Sequence, residues 1–275
     1  MGTDTQSITL RPLGATRAAF ALVFLLRTTP LLAPFGIHFM PSAEPVLGWP
    51  DGGWHAPIAH LSLPAGVVGA LCIVRTMAAL ALLLGIFSRP AGIVAGACGY
   101  LVLAQDAFGY MHHLHMLYLG AILLGITDSG CAFALRPDAP RSPRSSLQLL
   151  RAFVASIYVW AALCKLRPDW LDGRALALFH ADGALRGCVA AALFATPGRC
   201  VALAWIVVLF ELALAPALLW RRTTTLALIV AYAMHLTFEL AGRVDSIGWQ
   251  MAALLIVFVP ARVWAGSAQP APATR

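Results

Sequence analysis

The sequence predicts an all-α protein: a polytopic transmembrane helical bundle of about eight spans, with both termini cytoplasmic. Three observations carry that prediction. The 275 residues are 60% hydrophobic and only 11% charged, where a soluble domain carries about 25% charged residues, and the mean hydropathy is +0.80. The apolar residues fall in long blocks rather than in amphipathic stripes, as bilayer-spanning helices require. The arginines gather in alternate connections between those blocks, as the positive-inside rule expects.

The predicted spans are 13–33, 63–87, 90–106, 112–127, 147–166, 199–220, 223–241 and 246–264, each near the ~20 residues a bilayer needs. The first follows Arg11 and Arg17 and runs past Arg27 to Ala33 without a small-residue cleavage site. It reads as a spanning helix rather than a cleaved signal peptide. The piece 186–196 is apolar but too short to cross, and is expected as a re-entrant or interfacial helix. Two connections are long: 34–62, rich in Pro, Gly and Trp, and 167–198, with mixed charge. Residues 1–264 form one transmembrane domain, without an internal repeat, and the Ala/Pro-rich tail 265–275 reads as disordered.

Charge sets the expected orientation. With the N-terminus inside, the inner segments hold Arg11, Arg17, Arg89, Arg136, Arg141, Arg144, Arg151, Arg221, Arg222, Arg262 and Arg275. The outer loop 34–62 holds no Lys or Arg, and in 167–198 Arg167, Arg174 and Arg186 are partly balanced by Asp169, Asp172 and Asp182. The net charge of +7 therefore reports orientation in a cell inner or plasma membrane, not nucleic-acid binding. All eight histidines (His38, His55, His60, His112, His113, His115, His180 and His235) fall in outer loops or outer halves of spans. The extracytoplasmic face is the candidate for the chemistry.

Lys165 closes the fifth span on that same side, and it is the single lysine among 19 basic residues. Arginine keeps its proton under protein conditions, whereas a desolvated lysine can lose its proton and act as a base. Setting the amine among Trp160, Leu163 and Leu166 would favour that state, while an interfacial anchor is the plainer reading of a lysine at a span's end. In "YMHHLHMLYL", His112 and His115 share a helix face. They suit hydrogen bonding or acid–base work; one histidine box is too little for a metal centre, and no metal is expected. Arg75, Glu211, His235 and Glu239 lie inside spans, where ionisable groups face a cavity or a partner. His235 and Glu239 are neighbours on one face, and Arg75 with Glu211 is one available pairing. The six cysteines show no C-x-x-C spacing; Cys188 and Cys200 share a stretch and could form a disulfide, which the sequence does not demand.

Several stretches resemble a known family. "YVWAALCKLRPDWLDGRAL" resembles the Y-x-x-A-G-x-x-K-L-x-x-D-W-L-x-G stretch of the vitamin K-dependent gamma-carboxylases and of bacterial proteins sharing their transmembrane (HTTM) domain. "MHHLHMLYLGAILL" is similar to the family's N-H-x-Y-L helix start, with His113 at the family histidine. "RPLGATRAAFALVFLLRT", "GIFSRPAGIVAG" and "AYAMHLTFELAGRVDSIGWQM" resemble its first helix, second-to-third turn and late helix, in order along nearly the whole chain. His112 stands where the family often has Asn, and Ala161-Ala162-Leu163-Cys164 where it has A-G before the lysine.

The resemblance implies an integral membrane enzyme of the carbon–carbon lyase class. Lys165 would match the base that deprotonates vitamin K hydroquinone. Oxygen then adds, the alkoxide formed removes a glutamate γ-proton, and carbon dioxide traps the carbanion while quinone epoxide leaves. His113 would hold the reactive assembly, and His112, His115, Trp170, His235, Glu211 and Glu239 would line the substrate or quinone pocket. The expected cofactor is reduced vitamin K or menaquinone. The expected partners are the lipid bilayer, the lipophilic quinol, and an exported peptide substrate or partner subunit. The family's large soluble C-terminal part does not follow the eighth span, so the expectation is a carboxylase-like core with another substrate or with a partner. Two alternatives accompany it. One is a maturation factor for an exported peptide, of the sporulation-delaying-protein type; the other is a non-enzymatic quinone- or lipid-binding membrane subunit. The preference for Arg over Lys points to a GC-rich bacterial genome.

Overall fold

Helices form where the apolar blocks lie. The structure is a computed structural model and describes residues 2–29, 63–104, 112–181, 187–241, 246–260 and 263–264. The loop 34–62 with His38, His55 and His60, the turn before His112, the side chain of His112, and the tail 265–275 lie outside the described residues. The helices are α1 (Gly2–Thr28), α2 (Ala65–Leu84), α3 (Ser88–Leu103), α4 (His112–Ile126), α5 (Pro143–Lys165), α6 (Pro168–Leu171), α7 (Arg174–Ala181), α8 (Gly187–Leu193), α9 (Pro197–Leu219), α10 (Thr224–Ala241) and α11 (Ile247–Leu255). Two 3₁₀ turns, Asp128–Cys131 and Ile256–Phe258, complete the set. No strand occurs among the described residues.

Each of the eight predicted segments holds a helix. Three of these, α2, α5 and α9, are long and apolar enough to cross a membrane. The shorter ones include α3, of 16 residues, and α1 carries Arg11, Arg17 and Arg27. Two boundaries differ from expectation. α1 begins at Gly2 rather than near residue 13, because hydropathy delimits the part of a helix that suits a bilayer, not the helix itself. The last segment leaves α-geometry at Ile256 and becomes extended at Val259 (φ −58°, ψ 125°), since the residue before Pro260 is pushed out of the helical region. Within the mixed-charge connection 167–198 the chain forms α6, α7 and α8, of which only the piece 186–196 was expected as a helix.

The chain divides into two compact units, residues 1–147 and 148–275. In both units, helices with large exposed apolar side chains approach one another through faces that include small residues, a pattern of helices packed in lipid. In α10, Ala227, Leu228 and Ala231 are buried while Leu226, Ile229, Leu236 and Leu240 are each about 60% exposed or more. In the first unit, Gly92 and Gly96 form a G-x-x-x-G face on α3. A β-carbon there would lie 2.6 Å from the Ala121 carbonyl oxygen or 2.5 Å from that of Tyr118, so α3 and α4 meet backbone to backbone.

The first unit is tied together at one end by a buried arginine. Arg17 donates through Nε to the Ser129 carbonyl (3.1 Å) and through its terminal nitrogens to the carbonyls of Leu82, Leu83 (3.0 Å) and Phe133 (2.6 Å). The Leu82 and Leu83 carbonyls lie in the last turn of α2; that of Leu82 also accepts the Gly85 N–H (3.2 Å), while no later helical N–H reaches that of Leu83. Close by, Asp128 accepts from Arg89 (3.0 Å) and from the backbone N–H groups of Arg141 (3.1 Å) and Ser142 (2.6 Å). In the second unit, α6 and α7 pack on α9, and α10 packs on α9 and α11. Arg151 Nε donates to the Val257 carbonyl (2.9 Å) and so ties α5 to the closing 3₁₀ turn.

Candidate functional site

The stretch from Lys165 to Gly173 folds as a clamp. α5 stops at Lys165, and Arg167 is extended (φ −123°, ψ 148°) ahead of Pro168, which opens the single turn α6, as the steric demand of proline requires. Asp172 then accepts from the Arg174 backbone N–H (3.0 Å) and the Arg174 guanidinium (2.6 Å). That backbone bond, reinforced by the guanidinium, holds the Asp172 carboxyl below the usual carboxylate range. Gly173 sits at φ +79°, and a β-carbon on it would lie 2.7 Å from the Val201 nitrogen. Only glycine meets both conditions. The loop is thereby pressed against α9, and Trp170 packs beside Phe194 and Leu203 on the core of Leu176, Cys200 and Ala204.

Lys165 points inward from the end of α5. Its Nζ donates to both carboxylate oxygens of Glu211 on α9 (2.9 Å each) and to the Ala161 carbonyl (3.1 Å). The Trp170 ring covers the amine at 5.5 Å from the ring centroid, a cation–π distance. Glu211 is 5% exposed. The sequence-based expectation of an amine among Trp160, Leu163 and Leu166 is thus corrected, since those side chains face outward, 66%, 45% and 46% exposed. At 3.6 residues per turn, Lys165 instead shares its face with Ala162 and Tyr158. The suggested Arg75–Glu211 pair is corrected too. Arg75 donates to the Thr28 carbonyl (2.8 Å) and to the Tyr118 hydroxyl (3.4 Å), while Glu211 belongs to Lys165.

Two helical turns back along α5, the Tyr158 hydroxyl lies 2.9 Å from His235 Nε2 on α10. His235 is 7% exposed, and its Nδ1 has no hydrogen-bond partner among the described residues. Buried Trp170 Nε1 is in the same condition. His235 is therefore engaged with Tyr158. The Glu239 carboxylate lies over Gly248 of α11, where a β-carbon would fall 2.2 Å from Oε1. Tyr158 was not singled out from sequence; the available signal was its spacing of seven from Lys165, which places both on one helix face.

Of the predicted site, the second unit brings Lys165, Glu211 and Trp170 into contact and places His235 and Glu239 on α10. His113 and His115 are half-buried on α4 in the first unit. There Tyr100 Oη lies 2.8 Å from His115 Nδ1 and 3.0 Å from the His115 carbonyl. Cys200 is a free thiol, 3.8 Å from the Phe194 carbonyl; the side chain of Cys188, its considered disulfide partner, lies outside the described residues. Among the described residues no three His, Cys, Asp or Glu side chains converge as metal ligands.

No curated protein and no solved structure matches the chain. A family model described as the HTTM domain matches residues 55–264, from ahead of α2 through the closing 3₁₀ turn. That match takes in the Lys165 clamp, Glu211 and the Tyr158–His235 pair, and by its extent the chain belongs to the HTTM domain family.

Proposed function

We propose that this HTTM-domain protein is an integral membrane enzyme that removes a proton from a lipophilic quinol, reduced menaquinone or vitamin K, at the Lys165–Glu211 site. The observation that carries the proposal is the pair itself. An amine and a carboxylate stand between apolar helices, held by a loop whose glycine and tryptophan serve their placement. Ionisable groups are expensive at membrane depth and mark functional positions. In this reading eight segments span a cell inner or plasma membrane with both termini cytoplasmic, and the site faces the extracytoplasmic side. The Lys165–Glu211 pair takes the base role that the family resemblance gives to the lysine. An exported peptide or partner subunit supplies the carbon acid.

The test is quinone epoxidation by purified protein in nanodiscs, given reduced menaquinone or vitamin K under oxygen. Epoxide from the wild type, and at least about 100-fold less from Lys165→Ala, is the expected outcome for loss of a proton-transfer group. Equal epoxide from Lys165→Ala overturns the reading. A second reading, a non-enzymatic membrane subunit, is favoured by one observation: the amine's hydrogen bonds are complete, so the pair also serves as a tie between α5 and α9. On that reading no epoxide forms, and Lys165→Ala lowers only thermal stability.

A further inference from the structure

The hydrogen bonds of Lys165 do not suit a lone base. An ammonium has three N–H donors, and three acceptors surround Nζ: Glu211 Oε1 and Oε2 at 2.9 Å and the Ala161 carbonyl at 3.1 Å. In that state nitrogen has no lone pair to offer. If the shared proton sits on Glu211 instead, the Glu211 O–H occupies the amine lone pair, and nitrogen is again closed. A carboxylate accepts about four hydrogen bonds, and Lys165 uses one on each Glu211 oxygen. The open proton-accepting positions of the pair are therefore on Glu211. Among the described residues Glu211 also acts electrostatically on the Tyr158 hydroxyl, which is itself bonded to His235.

We propose that Glu211 is the proton acceptor of this site and that Lys165 remains an ammonium that binds the anion formed. The assignment rests on the quinol reading above and changes who does what within it. The quinol O–H bond breaks, an O–H bond forms on Glu211, and the negative charge passes to the quinol oxygen; no oxidant is needed for this step. Protonated Glu211 is a weaker acceptor, so it releases one N–H of Lys165, and that N–H turns to the new oxyanion. Proton removal and anion binding are thus one movement of one hydrogen bond. The indole N–H of Trp170 is buried, without a partner among the described residues, and its ring lies over the amine.

The roles separate under substitution. Arginine cannot serve as a base but can hold an anion, whereas glutamine keeps the shape of Glu211 and accepts no proton. The probe is 1-naphthol, a phenol whose ionised form absorbs to longer wavelength than tryptophan, titrated into the full chain in nanodiscs at pH 7. Folding of each variant is checked by circular dichroism and elution. Wild type and Lys165→Arg are expected to bind naphthol as naphtholate, with affinities within about tenfold. Glu211→Gln is expected to bind it neutral, without the naphtholate band, and Glu211→Asp to restore part of that band. A naphtholate band kept by Glu211→Gln and lost in Lys165→Arg overturns the assignment and returns the base role to Lys165. No naphthol binding by folded wild type overturns the quinol reading, and the assignment falls with it.

Discussion

Arg17 and Arg75 of the first unit and Lys165 of the second use positive charge in opposite ways. In the first, Arg17 and Arg75 are buried, and their hydrogen bonds go to backbone carbonyls and a tyrosine hydroxyl. Neither has a carboxylate partner among the described residues. In the second, the single lysine of the chain faces a glutamate from the next long helix. A guanidinium spread over several carbonyls fixes a fold, because its donors are many and its proton does not leave. An ammonium against one carboxylate makes a pair that a proton can rearrange. The chain thus keeps fixed charge for architecture and reserves exchangeable charge for one place.

Breaking the first half of this contrast has the largest expected effect. Arg17→Ala leaves the carbonyls of Leu83, Ser129 and Phe133 without their side-chain donor, at ~1–3 kcal/mol each where burial is retained, and leaves that of Leu82 with the Gly85 N–H alone. The expected outcome is loss of folded protein on size-exclusion in detergent. Arg17→Lys does not rescue it, since three N–H donors cannot replace the guanidinium fork.

The second half is sharpened by a double substitution. Glu211→Ala strands the partly buried ammonium and is expected to cost about 3 kcal/mol in unfolding. Lys165→Met combined with Glu211→Leu removes both charges and is expected to restore or raise the melting temperature while abolishing naphthol ionisation. A double variant no more stable than Glu211→Ala would mean that the pair is needed for folding itself.

A smaller effect is expected at the clamp. Gly173→Ala forces a β-carbon toward the Val201 nitrogen at φ +79°, costing about 1–3 kcal/mol. Because Trp170 shifts with the loop, quenching of its fluorescence by bound quinone should fall as stability falls. Smallest is Asp172. Its carboxyl is held below the usual range by the Arg174 N–H, so its contribution is present above about pH 4, the unfolded value. It is lost as pH falls through the lower folded value. Asp172→Asn should flatten the acid limb of the melting curve slightly, and leave the neutral-pH melting temperature nearly unchanged.

Much of this was legible in the sequence. The apolar blocks marked eight helical segments, and the one lysine marked the candidate site, because each signal is carried by local residue chemistry. Glu211 was visible as an ionisable residue inside a span, but not its partner, since pairing across 46 positions depends on which faces of α5 and α9 meet. Counting turns back from Lys165 would have found Tyr158. The helices α6 and α7 escaped because their residues are mixed in polarity and their turns are set by Pro168, Asp172 and Gly173 rather than by hydrophobic period. The role of Arg17 escaped for the same reason as the Glu211 pairing: its partners are carbonyls, which carry no sequence signature.

Arg17 also imposes an order on biogenesis. The Ser129 carbonyl it binds is made 112 residues after it, and the Leu82 carbonyl 65 residues after it. Until both have been synthesised, the Arg17 guanidinium lacks these acceptors, so the first unit cannot close around it. Closure of that unit is therefore a late event of synthesis, set by the chain reaching the turn after α4.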